Sequence, residues 1–256
     1  MTDDPFDRFR RATRARIGLG RAGDALPTAA LLDFQLAHAR ARDAVHGTVD
    51  FDTLAAALAP HPSLRVKSAA PDRAAYLRRP DLGRRLADAD RARLAALPRP
   101  EQPWDIAFII ADGLSATAVN VNAAAAFAAC AAALPQAWSI APVVLAEQGR
   151  VALGDDIAHA LGAKMAAILI GERPGLSVAD SLGIYLTLDP RPGRLESERN
   201  CISNIHAEGL SHREAAAKLA WLAREARRRG LTGIGLKDEA PPLIDAAPAA
   251  AIPQPR

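Results

Sequence analysis

The sequence predicts an α/β protein, in which a mainly helical amino-terminal region is followed by a parallel β-sheet wrapped by helices. Before residue 98 the apolar residues recur at helical spacing, whereas from residue 104 short, almost unbroken apolar runs alternate with helical segments. The stretch between them, 98–103, reads Pro-Arg-Pro-Glu-Gln-Pro and is the best candidate for a domain boundary. The predicted parts are a basic arm, a mainly helical region, a sheet domain and a disordered tail rich in Ala and Pro, at 1–14, 15–100, 101–239 and 240–256.

Three helices are expected in the first 100 residues. The first spans 28–46, where apolar residues recur at helical spacing and polar residues supply much of the surface. The second spans 50–59 and is stopped by Pro60. The third runs from about 81 to 97 and ends before Pro98.

The second part of the chain alternates strands and helices. Strands are predicted at 104–111, 138–145 and 164–170, with two further candidates at 184–188 and 201–205. Helices are predicted at 115–133, from a cap at Asp155 or Asp156 to Leu161, and at 211–229. The last helix opens on the capping box formed by Ser211 and Glu214, and it ends before Gly230.

Composition and charge exclude several classes of protein. The net charge is only +3, and no apolar run of about 18 residues is present, so neither a nucleic-acid partner nor a membrane span is expected. The arginine-rich start adjoins no apolar stretch, so it is not a secretory signal; it is typical of a solvated arm or, second, of an arm that docks on a partner protein. The two cysteines, Cys130 and Cys201, form neither a disulfide framework nor a metal pattern, which indicates the cytoplasm.

Two segments resemble known ligand-binding motifs but lack a feature that each motif requires. The run Gly18-Leu-Gly-Arg-Ala-Gly23 matches the dinucleotide-binding fingerprint in letters, but no strand precedes it. Asp156 and His159 are one residue too far apart for the Asp-x-His-x-x-Gly motif of proteins that replace the base of cobalamin with a histidine. No metal site and no self-contained catalytic residues are therefore predicted.

The ends of the apolar strands are better candidates for a site. Ligands of open parallel sheets bind beyond the carboxyl ends of the strands. The segments 112–115, 147–151 and 171–177 occupy these positions and carry glycine and polar residues. The competing interpretation is that they are ordinary turns, with Ser115 and Ser177 as helix caps.

Several segments together resemble the light chain, or small subunit, of ethanolamine ammonia-lyase. The most specific are Gly171-Glu-Arg-Pro-Gly-Leu-Ser177 and Arg199-Asn-Cys-Ile-Ser-Asn-Ile205. Further matching stretches run from Ala15 to Gly23, Leu32 to Val45, Pro80 to Leu86, Ala111 to Ala116 and Asp180 to Gly183. The resemblance covers roughly residues 15 to 236, which is nearly the whole chain.

The resemblance implies an enzyme subunit that is active only with its large subunit, in a higher-order hetero-oligomer. That enzyme uses adenosylcobalamin to convert ethanolamine to acetaldehyde and ammonia by a radical mechanism, and the large subunit holds the substrate. The light chain covers the cofactor with a Rossmann-like domain. The family's cobalamin contacts fall on Val151, Glu172 and Cys201, and we add Asp112 and Ser115 as candidates of our own.

Three questions stay open at this point. The chain is expected to be a lyase subunit, but a cobalamin-binding or assembly module without lyase activity is an alternative. A free-standing nucleotide-binding enzyme that uses the glycine run at 18–23 is a second alternative, which the missing strand disfavours. Residues 1–14 are short beside the extension that some relatives use for packaging, so enclosure in a bacterial microcompartment is also open.

Overall fold

The computed structural model describes residues 5–98 and 101–240. Within these ranges there are eight α-helices, α1 to α8, which are Asp7–Ala12, Thr28–His46, Phe51–Ala57, Arg73–Arg78, Asp88–Ala95, Ala116–Ala133, Leu153–Leu161 and His212–Arg229. The six strands, β1 to β6, are Ser63–Lys67, Ala107–Ala111, Val143–Glu147, Met165–Gly171, Leu182–Leu188 and Asn200–Ile205. Residues 1–4 of the predicted arm and residues 241–256 of the predicted tail lie outside the described residues.

All six strands form one sheet in the order β1-β3-β2-β4-β5-β6. The first four are parallel, as the sequence predicts, whereas β5 runs antiparallel to β4 and β6 antiparallel to β5. The expectation of a parallel sheet is therefore wrong for these last two strands. The reason is that 172–181 and 189–199 contain no α-helix, and a parallel neighbour needs a long crossover connection, usually a helix.

Strand β1 belongs to the region before the predicted boundary at 98–103, where no strand is predicted. It forms the sheet edge, paired with β3 through residues Ser63 to Lys67. The single sheet therefore extends across that boundary.

The helix predicted at 81–97 is also wrong in part, because a 3-10 turn at Leu82–Arg84 and extended backbone at Arg85 precede α5.

The core lies on both faces of the sheet. On one face α6 and α8 pack over the strands, with Phe108, Phe127 and Leu219 among the buried side chains. On the other face α7 packs over β2 and β4, and α5 packs on α7. Helix α6 is the one described helix that is long and apolar enough to cross a bilayer, which corrects the expectation that no such run is present. It packs against β4 and α8, and 44% of it is buried there.

Helix ends follow the local signals in most cases. Ser211 and Glu214 form the predicted capping box of α8, and Gly230 ends the helix in the left-handed conformation at φ 71°. Helix α7 is different, because it begins at Leu153 and contains Asp155 and Asp156 in its first turn rather than as caps. Both carboxylates are buried, where they bind arginine side chains instead.

Candidate ligand crevice at the carboxyl end of the sheet

The connections after β2 and β3 leave the sheet in opposite directions. Strand β2 continues into α6 on one face, and the neighbouring β3 continues into α7 on the other face. Such a divergence opens a crevice at the carboxyl ends of the two strands, which is where ligands bind in α/β folds. The sequence-predicted segments 112–115 and 147–151 are the two loops that diverge.

Asp112 joins these two loops from inside. Its two carboxylate oxygens accept hydrogen bonds from the backbone N–H groups of Gln148 and Gly149, both at 2.9 Å. The Arg73 guanidinium lies 3.5 Å away and is the nearest cation. Burial raises the pKa of this carboxyl, although the N–H donors and Arg73 favour its charged form. Asp112 is thus an internal anchor of the crevice, with little of its surface exposed.

Two glycines let the loops after β2 and β4 meet. Gly113 has φ +58°, and a Cβ atom there would lie 2.3 Å from the carbonyl oxygen of Gly171. A Cβ atom on Gly171 would lie 2.1 Å from the carbonyl oxygen of Ser115. Because neither backbone can move away without breaking the Leu114–Gly171 hydrogen bond of 2.9 Å, both positions require glycine.

A cavity of about 280 Å³ lies beside these loops. The sequence-predicted residues Val151 and Glu172 both line it, although they follow different strands. The remaining lining residues are Tyr76, Gly113, Leu114, Arg150, Ile170, Gly171, Arg173 and Tyr185. The structure therefore brings Val151 and Glu172 together on one surface.

Glu172 is the first residue after β4, and only one of its two carboxylate oxygens, Oε2, accepts hydrogen bonds from the chain. The Ser181 hydroxyl and the Asn204 backbone N–H both donate to Oε2, the second at 3.2 Å. Asn204 adopts φ 64° beside an irregular register between β5 and β6, which directs its N–H out of the ladder. The Oε1 atom of Glu172 takes part in neither bond.

Cys201 lies on β6 directly across from Tyr185 of β5. Cys201 is exposed and Tyr185 is half-buried, since α7 covers β2 and β4. Partial burial of the sulfur raises the pKa of the Cys201 thiol, so it is protonated at neutral pH. Tyr185 lines the cavity, whereas the sequence-predicted residue Cys201 lies beside Tyr185 but outside the lining.

Ser115 caps a helix, as the competing interpretation of this loop predicts. Its hydroxyl accepts from the Ala118 backbone N–H at 3.0 Å and donates to the Ala179 carbonyl at 2.6 Å. The residue is fully buried, so both roles of the hydroxyl are used inside the chain. A cofactor contact by Ser115 stays a prediction.

Sequence reasoning did not identify Arg73 or Tyr76, and it named Arg150 only as part of a strand-end loop. The guanidinium carbons of Arg73 and Arg150 lie 4.7 Å and 4.3 Å from the centre of the Tyr76 ring. Each arginine also has a buried nitrogen without a hydrogen-bond partner, namely Arg73 Nη2 and Arg150 Nε. Arg73 and Tyr76 lie on the short helix α4, for which the sequence carries no clear periodic signal.

A larger cavity, of about 560 Å³, lies at the amino-terminal end of the sheet. The ammonium of Lys164 and the guanidinium of Arg227 line it, but both bind the same Asp105 oxygen, at 2.9 Å and 3.0 Å. Its charged groups are therefore satisfied by one another. Within residues 5–98 and 101–240, no cluster of three or more His, Cys, Asp or Glu side chains is arranged to hold a metal ion.

The fold and the crevice define an α/β protein with a candidate ligand site at the switch point of its sheet. Comparison with known proteins supplies the family: the model of the ethanolamine ammonia-lyase light chain (EutC) matches residues 3–237. The chain belongs to this family.

Similar proteins are named ethanolamine ammonia-lyase small subunit. One from Pseudomonas fluorescens is 52% identical over 244 residues, covering 93% of this chain and 89% of its own length. The one from Xanthomonas campestris is 53% identical over 241 residues, with coverage of 93% and 89%. The one from Ralstonia nicotianae is 52% identical over 252 residues, with coverage of 96% and 93%.

Proposed function

We propose that this chain is the light chain of an adenosylcobalamin-dependent ethanolamine ammonia-lyase and holds the cofactor against a catalytic large subunit. The observation that carries the proposal is the convergence of Val151 and Glu172 on one cavity, whose lining residue Tyr185 pairs with Cys201 on the neighbouring strand. The family resemblance implies cobalamin contacts at Val151, Glu172 and Cys201. Val151 and Glu172 follow β3 and β4 at the carboxyl end of the sheet, where a shared ligand is expected, whereas Cys201 lies further along the sheet face, across from Tyr185.

The residues present fit a corrinoid. Such a ligand offers a large apolar ring face and a rim of polar groups, and ligand sites combine apolar walls with a few placed polar groups. Val151 and Tyr185 provide apolar surface, and Glu172 provides an acceptor for an amide or ribose hydroxyl. The buried nitrogen Arg150 Nε has no partner within the described chain, as expected of a donor that serves a ligand.

The role of this subunit is to position the cofactor and to enclose it. When bound, adenosylcobalamin supplies the radical by homolysis of its cobalt–carbon bond, and the overall conversion is of ethanolamine to acetaldehyde and ammonia. Glu172 fixes a rim group, Val151 packs against the ring, and Cys201 contributes a small, protonated packing contact. The substrate is held mainly by the large subunit, and we place the complex in the cytoplasm, with enclosure in a microcompartment left to experiment.

The large subunit is expected to cover the open part of the sheet and helix α2, which packs on α6. Leu32 and Leu36 of α2 are 58% and 51% exposed, although they are large and apolar. The first turns of α2 are exposed on nearly all sides, which is unusual for a helix without a partner. This exposure supports a hetero-oligomer, and we propose that the assembly contains several copies of each chain.

Replacement of Glu172 by alanine tests the cofactor site. In the complex of both subunits, we expect Glu172→Ala to weaken cobalamin binding by about tenfold, since a hydrogen bond to a charged group is worth about 1.5–3 kcal/mol. Binding is measured by titration of the cofactor's visible absorbance. Glu101→Ala is the matched control, because Glu101 precedes β2 and lies towards the opposite end of the sheet. An unchanged affinity in Glu172→Ala would remove Glu172 from the site.

A further inference from the structure

Arg150 and Glu172 line one cavity and carry opposite charges, yet no ion pair joins them. In the described part of the chain neither has a salt bridge, although ion pairs are common elsewhere on its surface. Two charges of opposite sign that face one small cavity without meeting leave room for a group that interacts with both. That group must accept a hydrogen bond from Arg150 and donate one to Glu172.

The Arg150 side chain is held in place by its surroundings. Its backbone N–H donates to the Gly83 carbonyl at 2.8 Å, and its guanidinium packs on the Tyr76 ring. A Cβ atom at Gly83 would lie 2.9 Å from Arg150 Cγ, so the absence of a side chain there makes room for the arginine stem. The contact of Nη2 with the Tyr76 carbonyl is long, at 3.4 Å, and Nε has no partner. Arg150 is thus a positioned donor with hydrogen-bonding capacity left over.

The Glu172 carboxylate is positioned in a similar way. Ser181 and Asn204 both donate to Oε2, which leaves Oε1 for a further donor. Gly183 packs against this side chain, with an ideal Cβ position only 3.1 Å from Oε1. The two residues therefore present a fixed donor and a fixed acceptor to the same cavity.

We propose that Arg150 and Glu172 together recognise a primary carboxamide, and that this pair makes the site selective for amidated corrinoids over their carboxylate forms. A carboxamide has one carbonyl acceptor and an NH₂ donor, whereas a carboxylate has acceptors only. A carboxylate in this position would keep its contact with Arg150, but it would repel Glu172 and leave Oε1 without a donor. The proposal rests on the proposed function, since it names the chemical group of the corrin ring that the cofactor cavity binds.

The first test measures selectivity. The complex of both subunits is titrated with cyanocobalamin and with each of its three monocarboxylic acids, in which one propionamide has become propionate. We expect at least one isomer to bind about tenfold or more weakly than cyanocobalamin, since like-charge contact and a lost hydrogen bond act together. Glu172→Gln supplies a side-chain NH₂ donor, so the gap for that isomer is expected to shrink to about twofold.

The second test removes the donor. Arg150→Met keeps an unbranched stem on Tyr76, and we expect cyanocobalamin to bind about tenfold more weakly. Arg150→Lys keeps the charge without the planar fork, is expected to bind several-fold more weakly, and serves if the methionine variant does not fold. Arg78→Met is the matched control, because Arg78 is exposed and lies outside the cavity lining. Its affinity is expected to equal that of the unaltered complex.

The outcomes separate this proposal from the one on which it rests. If the unaltered complex binds no cobalamin, the proposed function itself is contradicted. If it binds cobalamin but binds all three acids equally well, or if Arg150→Met binds normally, only the carboxamide pair is overturned. If the Arg150→Met penalty vanishes with cobinamide, which lacks the nucleotide loop, Arg150 reads the phosphate of that loop and the proposal is again overturned.

Discussion

Replacement of Arg199 by methionine is expected to lower the free energy of unfolding by about 3–5 kcal/mol, because it leaves a buried carboxylate without its partner. The Arg199 and Asp155 side chains are 1% and 3% exposed. Arg199 Nε and Nη2 both donate to Asp155 Oδ2, at 3.0 Å and 2.5 Å, and Nη2 also donates to the Arg194 carbonyl. This pair ties the first turn of α7 to the residue that precedes β6.

The loss is expected to depend on pH. Burial raises the pKa of the Asp155 carboxyl, and removal of the guanidinium raises it further. A raised folded-state pKa favours folding below the unfolded-state pKa, about 3.9, and this contribution is lost as the pH rises through the folded-state value. The deficit of Arg199→Met should therefore be smallest near about pH 4 and grow towards neutral pH.

Urea unfolding at several pH values measures this effect. The control is Lys218→Met, whose ion pair with Asp238 is partly exposed and is expected to contribute less than about 1 kcal/mol. A deficit in Arg199→Met that matches the control, or that shrinks as the pH rises, would contradict the importance of the buried pair.

Replacement of Tyr76 by alanine is expected to lower the free energy of unfolding by about 3–5 kcal/mol, a loss similar to that of Arg199→Met. The ring is fully buried, and its hydroxyl donates to the Gly149 carbonyl at 3.0 Å. Burial raises the pKa of this phenol, which keeps it protonated and able to donate. The same ring supports the guanidinium of Arg150, so Tyr76→Ala should also weaken cobalamin binding wherever the variant folds.

Tyr76→Phe separates the ring from the hydroxyl. It keeps the packing and loses one hydrogen bond, so we expect a loss of about 0.5–1.5 kcal/mol and nearly normal cobalamin affinity. Thermal unfolding and cofactor titration of both variants provide the comparison. Equal losses in the two variants would mean that the hydroxyl rather than the ring holds this side of the crevice together.

Much of the fold could be predicted because its signals are local. Helix α6 has an Ala-rich run behind a serine cap, β4 is a continuous apolar run, and α8 has a capping box and a terminal glycine. The direction of β5 and the pairing of β1 could not be predicted in this way, because they depend on which strand is adjacent in space. The edge strand β1 also alternates polar and apolar residues in only five positions, Ser63–Lys67, which is too short to identify by period.

The candidate site likewise has a part that local sequence predicts and a part that depends on contacts between distant segments. The segments 147–151 and 171–177 could be predicted because strand ends are visible in the sequence and the rule about carboxyl ends is general. Within these segments, Val151 and Glu172 were implied only by the family resemblance. The support of Arg150 by Tyr76 and Gly83 was missed, since these residues come from a part of the chain that sequence analysis assigned to a separate helical region. Asp112 was selected for its position, and the structure shows that its carboxylate faces inward to the next loop.

The most direct test of the central claim is co-expression of this chain with a large-subunit candidate, followed by assay of acetaldehyde from ethanolamine with and without adenosylcobalamin. The proposed function predicts product only when both chains and the cofactor are present. A complex that binds cobalamin but forms no acetaldehyde would contradict the lyase role and favour a cobalamin-binding or assembly module. Failure of the two chains to associate would contradict the proposed subunit role altogether.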